Sequence, residues 1–164
     1  MNPHVNHPVL AGLDEAIGAC RANGSALSLV HLDIDGFRRQ LVLHGHSLVI
    51  SKLRSVQRAL ADLMRSGDLC TPFGEHRVLV ALPGRDVMQA VEFADRVRLR
   101  LQPYGFDGGV SIAVVHLPAA APANGAEMIA AARQLVFESK SLGGGHTLCT
   151  TLAPAPPQPE ATLN

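Results

Sequence analysis

Two short apolar runs, Leu69 to Phe73 and Val78 to Leu82, flank the turn Gly74-Glu75-His76-Arg77. Runs of this length joined by a Gly-containing turn read as a β-hairpin. The hairpin lies inside a chain whose other segments alternate between helical and strand periodicity. A hairpin within such an alternation argues for an α/β (α+β) domain, with a mixed sheet and helices packed on it.

The remaining elements follow from spacing. Val9 to Ala22 places Leu10, Leu13, Ile17 and Cys20 at helical intervals and is stopped by Asn23-Gly24. Ala26 to Ile34, rich in Leu and Val, reads as a buried central strand ending at Asp33-Ile34-Asp35-Gly36. Leu48 to Met64 returns to helical period and is terminated by Arg65-Ser66-Gly67-Asp68, and Pro83-Gly84 closes the hairpin. A helix is predicted over Asp86 to Leu101, a strand over Gly109 to His116, a helix over Ala126 to Lys140 and a last strand over His146 to Leu152. Gly143-Gly144-Gly145 follows its helix rather than opening one, so it reads as a stop and not as a phosphate loop. The expected organisation is a flexible leader over 1–8, one domain over 9–152 and a Pro-rich disordered tail over 153–164.

Composition sets the limits of function. At 164 residues, 47% hydrophobic and 17% charged, the chain has enough apolar material for one real core. Its formal net charge of zero points to neither nucleic acid nor an anionic membrane as partner. Cys20, Cys70 and Cys149 have no metal-ligand spacing and fit reduced thiols. With no signal peptide or membrane span in the pattern, the expected location is the cytoplasm.

Several pieces, in order and in register, resemble the GGDEF family, the diguanylate cyclases. Asp33-Ile34-Asp35-Gly36-Phe37-Arg38 and Gly45-His46 stand where that family carries Asp-x-Asp-x-Phe-Lys and Gly-His. Arg65-Ser66-Gly67-Asp68 stands where it carries Arg-x-x-Asp, five residues before the signature hairpin. Ala94-Asp95-Arg96-Val97-Arg98, Val110-Ser111-Ile112-Ala113 and Phe137-Glu138-Ser139-Lys140 match later family stretches. The Asp-x-Leu-Thr-Gly-Leu-x-Asn-Arg opening is missing beyond Gly12-Leu13. The resemblance implies a nucleotidyl-cyclase-like mixed sheet of about five strands with helices on both faces.

It also implies which chemistry is lost. In the family, Asp33 and the acidic third residue of the hairpin would hold the divalent metal; that third place is His76, and the next, normally Glu, is Arg77. Mg²⁺ takes oxygen donors, which imidazole and guanidinium do not offer. Gly74 is kept, but the second Gly is Glu75, a carboxylate where phosphates must approach. The guanine-reading Asn and Asp correspond to Leu41 and Ile50, which cannot hydrogen-bond a base edge. Lys140 remains as a phosphate contact, while the Arg expected four residues on is Gly144. The expectation is a domain without catalytic residues, cofactor or metal.

What the resemblance implies is kept is the inhibitory ligand site. There Arg65, Asp68 and Arg96 would bind cyclic di-GMP: a guanidinium fork to guanine O6 and N7, a carboxylate to N1–H and N2–H₂. Arg-x-x-Asp also arises from a helix-ending Arg and a turn-forming Asp; its register with Arg96 sets this one apart. Other clusters are weaker. His44-Gly45-His46 lacks a third metal ligand, Asp33, Asp35 and His76 would make a Zn²⁺ or Mn²⁺ site only if the fold converged them, and Arg98 and Arg100 read as a solvated face. The leading expectation is a non-catalytic cyclic di-GMP receptor signalling to an unidentified protein partner, with exopolysaccharide, motility or secretion machinery as family contexts. Two chains sharing one intercalated ligand pair would make a homodimer. The alternative is a nucleotide-independent interaction scaffold with an apolar patch at Leu41, Val42, Leu43 and Ile50.

Overall fold

A computed structural model describes residues 7–106 and 109–153. The elements run α1 (His7–Ala22), β1 (Leu27–Ile34), α2 (Phe37–His44), α3 (His46–Ala61), β2 (Leu69–Pro72), β3 (Arg77–Pro83), α4 (Val87–Leu101), a 3-10 turn (Gln102–Tyr104), β4 (Val110–Leu117), α5 (Gly125–Ser141) and β5 (Thr147–Thr151). The strands form one sheet in the order β2-β3-β1-β4-β5. β1 is antiparallel to both β3 and β4, β2 is antiparallel to β3, and β5 is parallel to β4. This is the mixed five-stranded sheet expected from the hairpin.

β1 sits at the centre of the sheet, between β3 and β4. All eight of its residues are buried, and its side chains alternate between two cores. Leu27 and Leu29 join Leu13, Ile17, Met128, Ile129 and Val136 beneath α1 and α5. Val30, Leu32 and Ile34 join Val56, Leu60, Phe93 and Val97 beneath α3 and α4. Truncating one of them, such as Leu32→Ala, would cost about 2–5 kcal/mol, a large share of the roughly 5–15 kcal/mol typical of a domain. The register sets Asp33 opposite Arg77 on one side and Ser111 on the other, carrying a carboxylate to the edge of the core.

Capping fixes where helices begin. Asp86 and Gln89 form a capping box at α4, and Asn124 and Glu127 form another at α5. Asp14 accepts from the Gly125 amide at 2.8 Å, tying α1 to the start of α5.

Three expectations change. α1 starts at His7, so the last two residues of the expected leader are helical; residues 1–6 and the tail from 154 lie outside the described residues. Residues 37–44 form a separate helix, α2, joined to α3 through Gly45 at φ 78°. Arg98 is no solvated side chain: it donates to the Val110 carbonyl at 3.0 Å and to Thr147 Oγ1 at 2.8 Å, bracing β4 against β5. Among the described residues no helix is long and apolar enough to cross a membrane. The three cysteines are free thiols.

The central strand carries one polar anomaly. His31 is 1% exposed, its ring meets Phe73 edge-on, and neither ring nitrogen has a hydrogen-bond partner. Burial above all, with Arg77 and other cations adding, lowers its pKa to about 3. A histidine depressed in the folded state and ordinary in the unfolded state stabilises above the unfolded pKa and loses that stability as pH falls. From about pH 6.5 towards 3, His31 should therefore remove up to about 1.4 kcal/mol of stability per pH unit. Chemical denaturation across that range should show a shallower decline for His31→Phe than for the wild type; equal slopes would assign the decline to other groups.

Candidate functional site

The C-terminal end of β1 meets the β2–β3 turn, the start of α2 and the end of α5. Asp33 Oδ1 lies 2.7 Å from Lys140 Nζ and 3.7 Å from His76 Nε2. His76 stacks on Phe37, with ring centroids 4.7 Å apart and planes 17° from parallel. Burial lowers the His76 pKa, opposed by Asp33. The 3.7 Å approach is therefore a neutral ring beside a carboxylate at pH 7, and Lys140 supplies the compensating charge. The turn is held to β1 by the Ile34 amide, which donates to the His76 carbonyl at 3.1 Å.

Asp35 Oδ1 lies 3.7 Å from the same Lys140 Nζ, but its hydrogen bonds go elsewhere. Ser111 Oγ lies 2.9 and 3.0 Å from its two oxygens, and the Gly145 amide donates to Oδ2 at 2.8 Å. Ser139 Oγ lies 2.8 Å from Ser111 Oγ and extends the network. The glycine run that ends α5 is needed here: Gly144 has φ +81°, and a Cβ on it would stand 2.9 Å from Asp35 Oδ2. Arg77 folds back over the Phe73 ring at 5.5 Å, with its Nε buried and unbonded. Glu75 is exposed, and Leu41 and Ile50 are half-buried.

The donors at this end of β1 do not fit a divalent cation. Asp33 is engaged by an ammonium, Asp35 is consumed by a hydroxyl and an amide, and the third group is a stacked imidazole. Among the described residues no group of three or more His, Cys, Asp or Glu is placed to hold a metal. The convergence of Asp33, Asp35 and His76 that a Zn²⁺ or Mn²⁺ site would need does not occur.

A second neighbourhood lies between the 65–68 turn and α4. Arg65, Arg96, Leu63, Gln89, Glu92 and Phe93 line a small hollow together with Arg85. Its enclosed volume is about 50 Å³, room for one or two waters. The Asp68 carboxylate adjoins it: Oδ2 accepts from the Arg65 amide at 2.7 Å and from Arg85 Nη2, while Oδ1 accepts none of the described hydrogen bonds. The Asp68 and Arg85 side chains are 3% and 6% exposed. Arg85 also packs over the Phe93 ring at 5.2 Å. Arg96 pairs with Glu92 at 2.5 Å, but both side chains are about 60% exposed (63% and 60%), so that pair holds little.

The structure thus brings Arg65 and Arg96 to one hollow and seats Asp68 beside it. It adds Arg85, which sequence reading missed. The only signal was a basic residue directly after the Pro83-Gly84 turn, with its partner 17 positions back.

The sheet order, the hairpin beside the end of β1 and the two flanking helix pairs define a nucleotidyl-cyclase-like α+β domain. The sequence matches "Diguanylate cyclase, GGDEF domain" over residues 9–145, and the chain belongs to the GGDEF family. Solved structures agree on the fold. The GGDEF domain of DgcB from Caulobacter crescentus, determined in complex with c-di-GMP, superposes with a TM-score of 0.77 at 17% identity, covering 85% of this chain and 86% of that one. The GGDEF domain of PA1120 (YfiN or TpbB) from Pseudomonas aeruginosa gives 0.79 at 18% identity, covering 90% and 96%. Diguanylate cyclase SiaD from the same organism, in complex with its activator SiaC, gives 0.74 at 21% identity, with 88% of this chain covering 56% of that one.

Two outcomes follow. Gly144→Ala should lower stability by roughly 1–3 kcal/mol through its backbone conformation and its contact with Asp35, measured as a lower melting temperature; an unchanged value would mean the loop relaxes freely. Arg85→Met should cost about 3–5 kcal/mol by leaving a buried carboxylate uncompensated. The double variant Arg85→Met/Asp68→Leu should recover part of that loss in a double-mutant cycle. Additive losses would show the two charges to be uncoupled.

Proposed function

We propose that this chain is a non-catalytic receptor for cyclic di-GMP, binding the dinucleotide at Arg65, Asp68 and Arg96 and passing the signal to a protein partner. The observation that carries the reading is the convergence of Arg65 and Arg96 on one hollow beside the buried Asp68–Arg85 pair. Arg65 is exposed at the rim, and its guanidinium is free to meet O6 and N7; Asp68, 3% exposed, accepts from N1–H or the exocyclic amine once the 65–68 turn parts to admit the base edge. Arg96 need only leave Glu92, an exposed pair of little worth, to reach a phosphate or stack on the base. Asp68 is placed by Arg85, so the carboxylate keeps its position before ligand arrives.

The absence of cyclase activity is part of the same proposal. Joining two GTP molecules needs metal to neutralise triphosphate charge and activate a hydroxyl. Here Lys140 neutralises Asp33, and His76 and Arg77 occupy the places of the expected acids. The base-reading positions are Leu41 and Ile50, and unpaired polar base edges are strongly penalised there.

Calorimetry tests the reading. Cyclic di-GMP should bind at micromolar concentration, and Arg65→Ala, which removes an exposed side chain and spares the fold, should abolish the heat. Arg96→Ala should weaken binding by about tenfold, the loss of one charge-assisted contact. No heat at high ligand concentration would overturn the receptor and leave a nucleotide-independent scaffold, the reading favoured by exposed Val42, Leu43 and Leu48. GTP with Mg²⁺ should give no turnover; formation of the cyclic dinucleotide would overturn the non-catalytic part.

A further inference from the structure

The zero net charge of the chain conceals a strongly segregated surface. From Gly36 to Ala61 there is no Asp or Glu, while Arg38, Arg39, Lys52, Arg54 and Arg58 all fall in that stretch. Helix α2 buries only Phe37 and Gln40, so the opposite face carries Arg38, Arg39, Val42 and Leu43, all exposed. Residues four apart share a face, which sets Arg38 beside Val42 and Arg39 beside Leu43. Val42 is 86% exposed, Leu43 57% and, just past the Gly45 corner, Leu48 49%. Arg38 and Arg39 form no ion pair among the described residues, and the acid-free run continues along α3 with exposed Arg54 and Arg58.

From this face we infer that the α2–α3 corner docks on an anionic lipid bilayer. Aliphatic side chains standing in water beside unpaired guanidinium groups match an interface of phosphate above hydrocarbon. Val42, Leu43 and Leu48 enter the acyl boundary, while the arginine stems lie along them and their heads stay among the phosphates. Each Arg near such a surface favours binding by roughly fivefold. A second copy of this chain is a poor occupant, because like charges would face each other. A folded protein partner is less well matched, since central aromatic anchors, which dominate such interfaces, are lacking on this face. Nucleic acid would use the arginines but leave the aliphatics in water. The inference stands apart from the cyclic di-GMP site, which lies at the other end of α3.

Sedimentation of the full chain with vesicles tests it. The protein should pellet with equal parts phosphatidylcholine and phosphatidylglycerol at low salt, and stay in solution with phosphatidylcholine alone. Val42→Ser/Leu43→Ser should weaken binding about tenfold, and Arg38→Gln/Arg39→Gln by at least about tenfold. Arg100→Gln, an exposed arginine on α4, should leave it unchanged. All of these side chains are exposed, and a melting curve for each variant confirms that the fold is retained. Protein that remains in solution with anionic vesicles overturns the inference and returns the face to a protein partner. Binding indifferent to the two aliphatic substitutions, or equally weakened by Arg100→Gln, also overturns it, as bulk electrostatic adhesion.

Discussion

Two buried opposite charges, Asp68 and Arg85, fix the part of this molecule on which its proposed function rests. Neither would be tolerated at that depth alone. Together they hold the 65–68 turn against the end of β3, while Phe93 on α4 supplies a ring for the guanidinium to cover. One carboxylate oxygen is committed to this work and to the Arg65 amide. The backbone of Arg65 is thereby held at the rim, and the residue is exposed.

The far end of β1 shows the opposite treatment of charge. Asp33 and Asp35 emerge from a fully buried strand, where each would be costly without a partner. Lys140 answers Asp33; Ser111 and the Gly145 amide answer Asp35. The site is satisfied internally, which stabilises the sheet edge and leaves little negative charge to attract a cation. In one GGDEF fold, a pair of aspartates near the hairpin is answered by Lys140, Ser111 and an amide, while the aspartate near α4 is answered by Arg85 and an amide beside two exposed arginines. The difference between them underlies the reading of a silent strand end beside a receptive hollow.

Much of this was legible in the residues. The hairpin, the buried β1 and the α4 and α5 periodicities gave the sheet and both helical layers, because long apolar repeats are governed by the same burial that stabilises them. Helix α2 was not legible: it is a single short element that buries only Phe37 and Gln40, and its other positions carry no helical stripe. Arg98 was misread because the next strand, not its own helix, supplies its acceptors. Arg85 and His31 were invisible for a related reason. A lone polar residue beside an apolar run looks the same whether it faces solvent or core, and only the packing of distant segments decides. The net charge of zero, a sum over the chain, likewise does not display the acid-free stretch from Gly36 to Ala61.

The most direct test of the central claim is the electron density of crystals grown with cyclic di-GMP. The account expects a guanine edge against the Arg65 guanidinium, within hydrogen-bond reach of Asp68 Oδ1, with Oδ2 still bonded to Arg85 and Arg96 turned from Glu92 towards the ligand. Density for the dinucleotide over the Asp33–Lys140 pair at the end of β1, with the hollow at Arg65 empty, would contradict it.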